Sequence, residues 1–128
     1  MKSIILHEVG MRDGLQMEKQ IVPSDQKIKW INGLEDAGVD IVQVGSFVHP
    51  EKVPQMADTD RLFGEFIAKT GSKTILSALV LNEKGLERGL KAGVGMFCMG
   101  VSASETHSMK NTGMSTTEAT GRIISMAR

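Results

Sequence analysis

The 128-residue sequence has no tyrosine, one cysteine, one tryptophan and three prolines. One cysteine cannot close an internal disulfide, so the fold must be held by its core, and a reducing cytoplasm is the expected compartment. An excess of one charge is also missing: 15 basic and 15 acidic residues give a formal net charge of zero. Without a basic excess there is no electrostatic footprint for nucleic acid or an anionic membrane surface, and neither is expected as a partner. No apolar run approaches the ~20 residues that span a bilayer. Met1-Lys2-Ser3 followed by three apolar residues is too short for a secretory signal. No G-x-G-x-x-G follows any apolar run, which removes the dinucleotide-binding turn of open doubly wound sheets. His7, His49 and His107 form no His-x-His or His-x3-His pair that would chelate a metal. Methionine, by contrast, occurs nine times, and reads as adaptable apolar filling of a core.

What is present is an alternation of strand-like and helix-like segments across one domain, residues 1–128. Ile4 to Val9 reads as a strand. Ser24 to Ala37 reads as a helix, with Ile28, Ile31, Leu34 and Ala37 at helical spacing and Gly38 as its stop. Val39 to Val44 is a second strand, and the loop 45–57 carries Pro50 and Pro54, which exclude regular helix or central strand. Asp58 to Lys69 is a second helix and Lys73 to Leu79 a third strand. Asn82 caps a helix over Glu83 to Lys91, Gly95 to Val101 is a fourth strand, and Ser115-x-x-Glu118 is a capping box that opens a last helix. An internal echo supports repeated units. Ala37-Gly38-Val39 before Asp40–Gly45 is matched by Ala92-Gly93-Val94 before Gly95–Gly100. Helices between strands imply parallel pairing. The expected fold is therefore α/β, with four consecutive parallel β/α units. A full eight-unit barrel needs about 250 residues, so this chain can supply at most about half of one. A small open doubly wound sheet is the alternative.

The richest chemistry follows the first strand, in Glu8-Val9-Gly10-Met11-Arg12-Asp13-Gly14-Leu15-Gln16. Carboxyl ends of parallel strands are where such folds place their sites. Asp13 offers a hard oxygen ligand for a divalent cation, and Arg12 a planar fork for an oxyanion or carboxylate. An exposed turn with a local ion pair fits the same residues. The motif is longer, however. Glu8-Val9-Gly10-x-Arg12-Asp13-Gly14-Leu15-Gln16-x-Glu18-Lys19 is followed in order by Ser46-Phe47-Val48-x-Pro50, Val53-Pro54-Gln55-Met56, Ala103-Ser104-Glu105 and Lys110-Asn111. This series resembles the 3-hydroxy-3-methylglutaryl-CoA lyase family, one of the metal-dependent TIM-barrel lyases and Claisen-type synthases. The resemblance covers the first half of such an enzyme and makes the four β/α units the first four of its barrel, so it implies a partial TIM barrel, a half barrel.

That resemblance implies retro-Claisen cleavage of an acyl-CoA to acetyl-CoA and a keto acid, with Mg2+ or Mn2+ as cofactor. It makes Asp13 a metal ligand and Arg12 the stabiliser of the enolate, with Glu8 and Gln16 in support. It places Lys19, Lys110 and Asn111 near the acyl-CoA, while Ser104, just past the fourth strand, lies on the face expected to contact substrate. The family carries a glutamate where this sequence has Gln43, and an amide cannot hold charge or take a proton at neutral pH. Gln43 is either an inward polar residue satisfied by Arg12 or the mark of a different substrate. The family's His-x-His ligands, an Asn and a reactive cysteine belong to its second half and are not in this sequence. His7, next to Glu8, is expected on the opposite face of the strand, toward the helices. Cys98 reads as an inert core thiol. Four strands cut from a barrel leave two open edges. The chain is therefore expected to form a homo-oligomer, to pair with a complementing half, or to be part of a longer protein.

Overall fold

The computed structural model describes residues 3–69 and 71–128; the Met1-Lys2 opening lies outside the described residues. Four strands pair in parallel in chain order: β1 (His7–Glu8), β2 (Ile41–Ser46), β3 (Ile75–Leu79) and β4 (Met96–Cys98). Between and after them run α1 (Ser24–Asp36), α2 (Thr59–Ile67), α3 (Glu83–Lys91), α4 (Glu105–Thr112) and α5 (Thr116–Met126). The alternation read from the sequence is thus observed as four parallel β/α units. Among the described residues no helix is long and apolar enough to cross a membrane.

The internal echo is a repeated helix stop. Gly38 and Gly93 both sit in the left-handed region, at φ 77° and 78°. In each case the next residue folds back on the helix it leaves: Val39 N–H donates to Leu34 O (3.2 Å) and Val94 N–H to Gly89 O (3.0 Å). Glycine alone reaches this conformation without a Cβ penalty. Each stop aims the chain into the next strand, β2 or β4.

The core lies between the sheet and its helices. Val42, Val44, Ala78 and Val80 from the sheet region meet Ile31, Leu62, Phe63 and Phe66 from α1 and α2. Burying each large apolar side chain contributes about 1.5–3 kcal/mol, and this sets how α1 and α2 sit on the sheet. Phe47, just past β2, packs on Phe63 with ring centroids 6.0 Å apart.

Several boundaries differ from the sequence reading, for physical reasons. The first strand shrinks to His7–Glu8, and Ile4, Ile5 and Leu6 are exposed. β1 has one neighbour, and β2 begins only at Ile41, so the residues before His7 have almost nothing to pair with. Leu6 alone is tied, its N–H to Asp40 Oδ2 (2.8 Å) and its carbonyl to Ile41 N–H (3.0 Å). The second strand runs on to Ser46, through Gly45, where a Cβ would collide with the Thr59 side chain. The fourth strand is Met96–Cys98 rather than Gly95 to Val101, because it too pairs on one side only. Finally, an extra helix, α4, precedes the one opened by the capping box. Its only large apolar residue, Met109, is half exposed, so it shows no apolar periodicity.

Candidate functional site

After β1 the chain enters a π-helical turn, Gly10–Gly14. Glu8 organises it: one carboxylate oxygen accepts from Gly10 N–H (2.5 Å), and the other lies 3.4 Å from Met11 N. The N–H groups of Arg12 and Asp13 both converge on Val9 O, at 3.1 and 2.7 Å. A carboxylate at the start of such a turn satisfies N–H groups that have no internal partner. The structure therefore engages Glu8 with its own backbone.

The turn projects Arg12 onto β2. Arg12 Nε donates to Gln43 Oε1 (2.6 Å), and Nη1 donates to Asp13 Oδ1 (2.9 Å). The Arg12 side chain is 18% exposed and that of Asp13 65% exposed, whereas Gln43 is buried. So a guanidinium is clamped between a buried neutral acceptor and an open carboxylate. The sheet register slips directly after Gln43, between Gln43 and Gly45. A bulge re-aims the side chains beside it and is common next to sites. Arg12, Asp13 and Gln43 are thereby brought together on the carboxyl side of β1 and β2.

His7 departs from its expected face. Its Nε2 lies 3.0 Å from Ser77 Oγ, and Ser77 is the register partner of Gln43. His7 itself pairs with Ile41, two residues before Gln43. Side chains alternate with period two, so the imidazole shares the sheet face of Gln43. The expectation assumed that Glu8 occupied this face; Glu8 instead pairs with Val42, a core residue.

The other candidates lie further round the rim. Gln16 is half-buried in the helical turn that continues from Gly14, and Lys19 is exposed just beyond it. Ser104 caps α4, its Oγ accepting from His107 N–H at 3.3 Å. Lys110 and Asn111 are exposed on α4. Asn111 reaches His107 Nε2 (3.4 Å), and His107 Nδ1 meets Ser102 Oγ (2.7 Å). Among the described residues no hydrogen bond joins this α4 group to Arg12 or Gln43.

Asp13 does not make a cation site by itself. Among the described residues no three His, Cys, Asp or Glu side chains cluster as a metal centre would require, and one carboxylate falls well short of the six or more oxygens typical of Ca2+ or the near-octahedral shell of Mg2+. Neither of two cavities among the described residues is lined by Arg12, Asp13 or Gln43, although the second borders the site through Glu8 and Gly10. A hollow of about 550 Å3 lined by Glu35, Lys69 and Lys73 lies at the opposite end of the strands, and a groove of about 490 Å3 beside Met11 and Trp30 lies against α1.

Sequence reasoning passed over Lys27, which is 1% exposed and bonded to Asp58 (2.7 Å) and to Gln55 O (2.6 Å). A signal was there: Lys27 falls at helical spacing with Ile31 and Leu34, on the apolar face of α1.

Comparison with known proteins fits this geometry. The HMGL-like family pattern matches residues 3–128. The hydroxymethylglutaryl-CoA lyase YngG of Bacillus subtilis is 39% identical over 118 residues, spanning 92% of this chain and 39% of that protein. The 3-hydroxy-3-isohexenylglutaryl-CoA/hydroxymethylglutaryl-CoA lyase of Pseudomonas aeruginosa is 39% identical, over 96% of this chain and 40% of its own length. Among solved structures, the HMG-CoA lyase of Bacillus subtilis superposes with a TM-score of 0.90 at 35% identity, covering 99% of this chain and 42% of that one. An HMG-CoA lyase from Acinetobacter baumannii, in complex with coenzyme A and 3-methylmalate, superposes at 0.87 and 31% identity, over 98% and 42% of the two chains. The four parallel strands and their helices correspond to the N-terminal half of the TIM barrel in these lyase structures. The chain thus spans about two-fifths of the length of the relatives it matches, and over that span it belongs to the HMGL-like family.

Proposed function

We propose that this chain carries the N-terminal share of a carbon–carbon lyase site that cleaves an acyl-CoA with a tertiary 3-hydroxyl and a distal carboxylate into acetyl-CoA and a keto acid. The observation that carries this reading is the Arg12 guanidinium, clamped by Gln43 and Asp13 at the carboxyl side of the strands in a lyase-like fold. In retro-Claisen cleavage, negative charge develops on the thioester oxygen as the carbon–carbon bond breaks. A guanidinium whose direction is already fixed by two acceptors stabilises that charge without reorganising. Gln43 orients Arg12 and takes no proton itself. Asp13 would hold a divalent cation, Mg2+ or Mn2+, through its carboxylate, with the remaining ligands from outside these 128 residues, and the cation would supply acidification and orientation of the substrate hydroxyl. Lys19, Ser104, Lys110 and Asn111, with Gln16, form the rim that meets the acyl-CoA. The coenzyme A in the Acinetobacter baumannii relative supports acyl-CoA as the ligand class.

A second reading concerns assembly. Both edge strands pair on one side only, and Ile4, Ile5 and Leu6 beside β1 are exposed. These features favour a second copy, or a complementing half barrel, as the partner.

Two assays test the lyase reading. The 128-residue chain alone is expected to release no acetyl-CoA from 3-hydroxy-3-methylglutaryl-CoA with Mg2+ or Mn2+, because one carboxylate does not order the cation. Joined to the C-terminal remainder of a relative, it is expected to give metal-dependent release that Asp13→Ala and Arg12→Ala abolish. A folded chimaera without turnover, or one indifferent to both substitutions, would overturn the assignment.

A further inference from the structure

Lys27 carries its charge into the interior, with only 1% of the residue exposed. Its Nζ donates to Gln55 O (2.6 Å) and to Asp58 Oδ1 (2.7 Å), and Ser24 Oγ donates to the other Asp58 oxygen (2.8 Å). Asp58 stands at the N-cap of α2 yet makes no side-chain cap bond. An aspartate there ordinarily accepts from the first turn of its helix; this one is committed to Lys27 and Ser24 of α1. The segment between β2 and α2 is thus anchored at its far end to α1. At its near end Arg88 of α3 donates to Val48 O (3.2 Å) and lies 5.4 Å from the Phe47 ring centroid. Between the anchors, Gln55 turns outward and its Nε2 donates to Glu18 O (2.8 Å). Glu18 precedes Lys19 in the loop that carries Arg12 and Asp13.

We propose that Lys27 is a positioning residue for the rim. Its buried ammonium fixes the β2–α2 segment, and Gln55 passes that placement to the backbone at Glu18 and Lys19, so the first two β/α loops move as one body. Calling this rim acyl-CoA-facing rests on the function proposed above; the mechanical linkage does not. Buried charge-assisted bonds hold geometry more firmly than neutral ones, and the alternative acceptors for a lysine at this depth are few.

Amide hydrogen exchange of the whole chain tests the linkage. Val53, Met56 and Ala57 report on the β2–α2 segment, Met17 and Glu18 on the first loop, and Phe47 and Val80 on the sheet, since each N–H is bonded to backbone. Gln55→Ala is expected to speed exchange at Met17 and Glu18 about fivefold, the effect of losing one neutral bond, and to leave Met56 and Ala57 unchanged. Lys27→Met is expected to speed both loops relative to Phe47 and Val80, and Lys27→Arg to restore much of the protection. Two results overturn the proposal: unchanged exchange at Met17 and Glu18 in Gln55→Ala, or a uniform rise in Lys27→Met that includes the sheet. Should Lys27→Met fail to fold, the Gln55→Ala result decides alone. A parallel titration with coenzyme A separates the two readings. Absence of binding by the unaltered chain would count against the function proposed above and leave the exchange result standing.

Discussion

Arg12 is held by two acceptors of different character, a buried amide and an open carboxylate. The amide matters more for stability, because little water reaches it. Gln43→Leu removes the acceptor of a charged donor and is expected to cost about 1.5–3 kcal/mol in urea unfolding. Gln43→Glu keeps an acceptor and should avoid that loss. A leucine variant as stable as the parent would mean that Arg12 finds another partner. His7 shows how one residue's face follows from register: pairing with Ile41 rather than Val42 decides that it meets Ser77. Nothing in the local sequence specifies that offset, since both His7 and Glu8 are polar and strand alternation alone does not say which of them faces inward.

At the level of elements, α3 approaches the sheet through two glycines one turn apart. A Cβ on Gly85 would sit 2.5 Å from the Phe47 carbonyl oxygen, and one on Gly89 would strike the Phe97 ring. Alanine favours an isolated helix by about 1 kcal/mol over glycine. Here Gly85→Ala should nevertheless destabilise, by about 1–3 kcal/mol from overpacking against backbone that cannot give way. A raised thermal midpoint would sink that expectation. The start of α3 is also held by an ion pair. Arg122 of α5 donates from Nε to both oxygens of Glu83, at 3.0 and 3.1 Å. Hydrogen bonding from Arg122, foremost, pulls the Glu83 pKa down from 4.5 to about 2, and the same bond raises that of Arg122. A lowered carboxyl pKa means that the folded state binds its proton later than the unfolded chain. The stabilisation is therefore complete above pH 4.5 and is lost as pH falls toward 2. The gap in urea midpoint between the parent and Glu83→Gln should close over that window, and should shrink in high salt because the pair is exposed. A gap undiminished between pH 4.5 and pH 2 would refute the assignment. Much at this scale was legible in the sequence. The Gly38 and Gly93 stops, the Asn82 cap and the Ser115/Glu118 box all signal through local backbone chemistry, and all appear, the box reciprocally. Helix α4 was not legible, because its Ser104 cap and its Gly113 terminus at φ 70° enclose no apolar stripe. The Arg12–Gln43 bond was foreseen as one reading of Gln43, while the Lys27 anchor was hidden because a lysine on an apolar face looks like an interruption until its partners, 28 and 31 residues away, are in place.

For the whole molecule, the two open edges dominate. β1 and β4 each leave one side of their backbone unpaired, and apolar residues flank β1. In isolation the 128-residue chain is expected to run as a dimer or larger assembly in light scattering, and to lose thermal stability on dilution. A monodisperse monomer whose midpoint ignores concentration would contradict this. Strand order equal to chain order has a further consequence, for how the molecule is made. His7 pairs with Ile41 and Ile41 with Ile75, each 34 residues on, and Ser77 pairs with Met96, 19 residues on. A chain emerging from the ribosome thus meets the partner of each strand as the next one to appear, and no strand waits for a distant segment. Domains that grow this way are suited to folding during synthesis, N-terminal parts first. The β2–β3 ladder, with five paired positions against two for β1–β2 and three for β3–β4, is the seam that such growth would close most firmly, leaving the loop that carries Arg12 to settle onto a sheet already formed behind it.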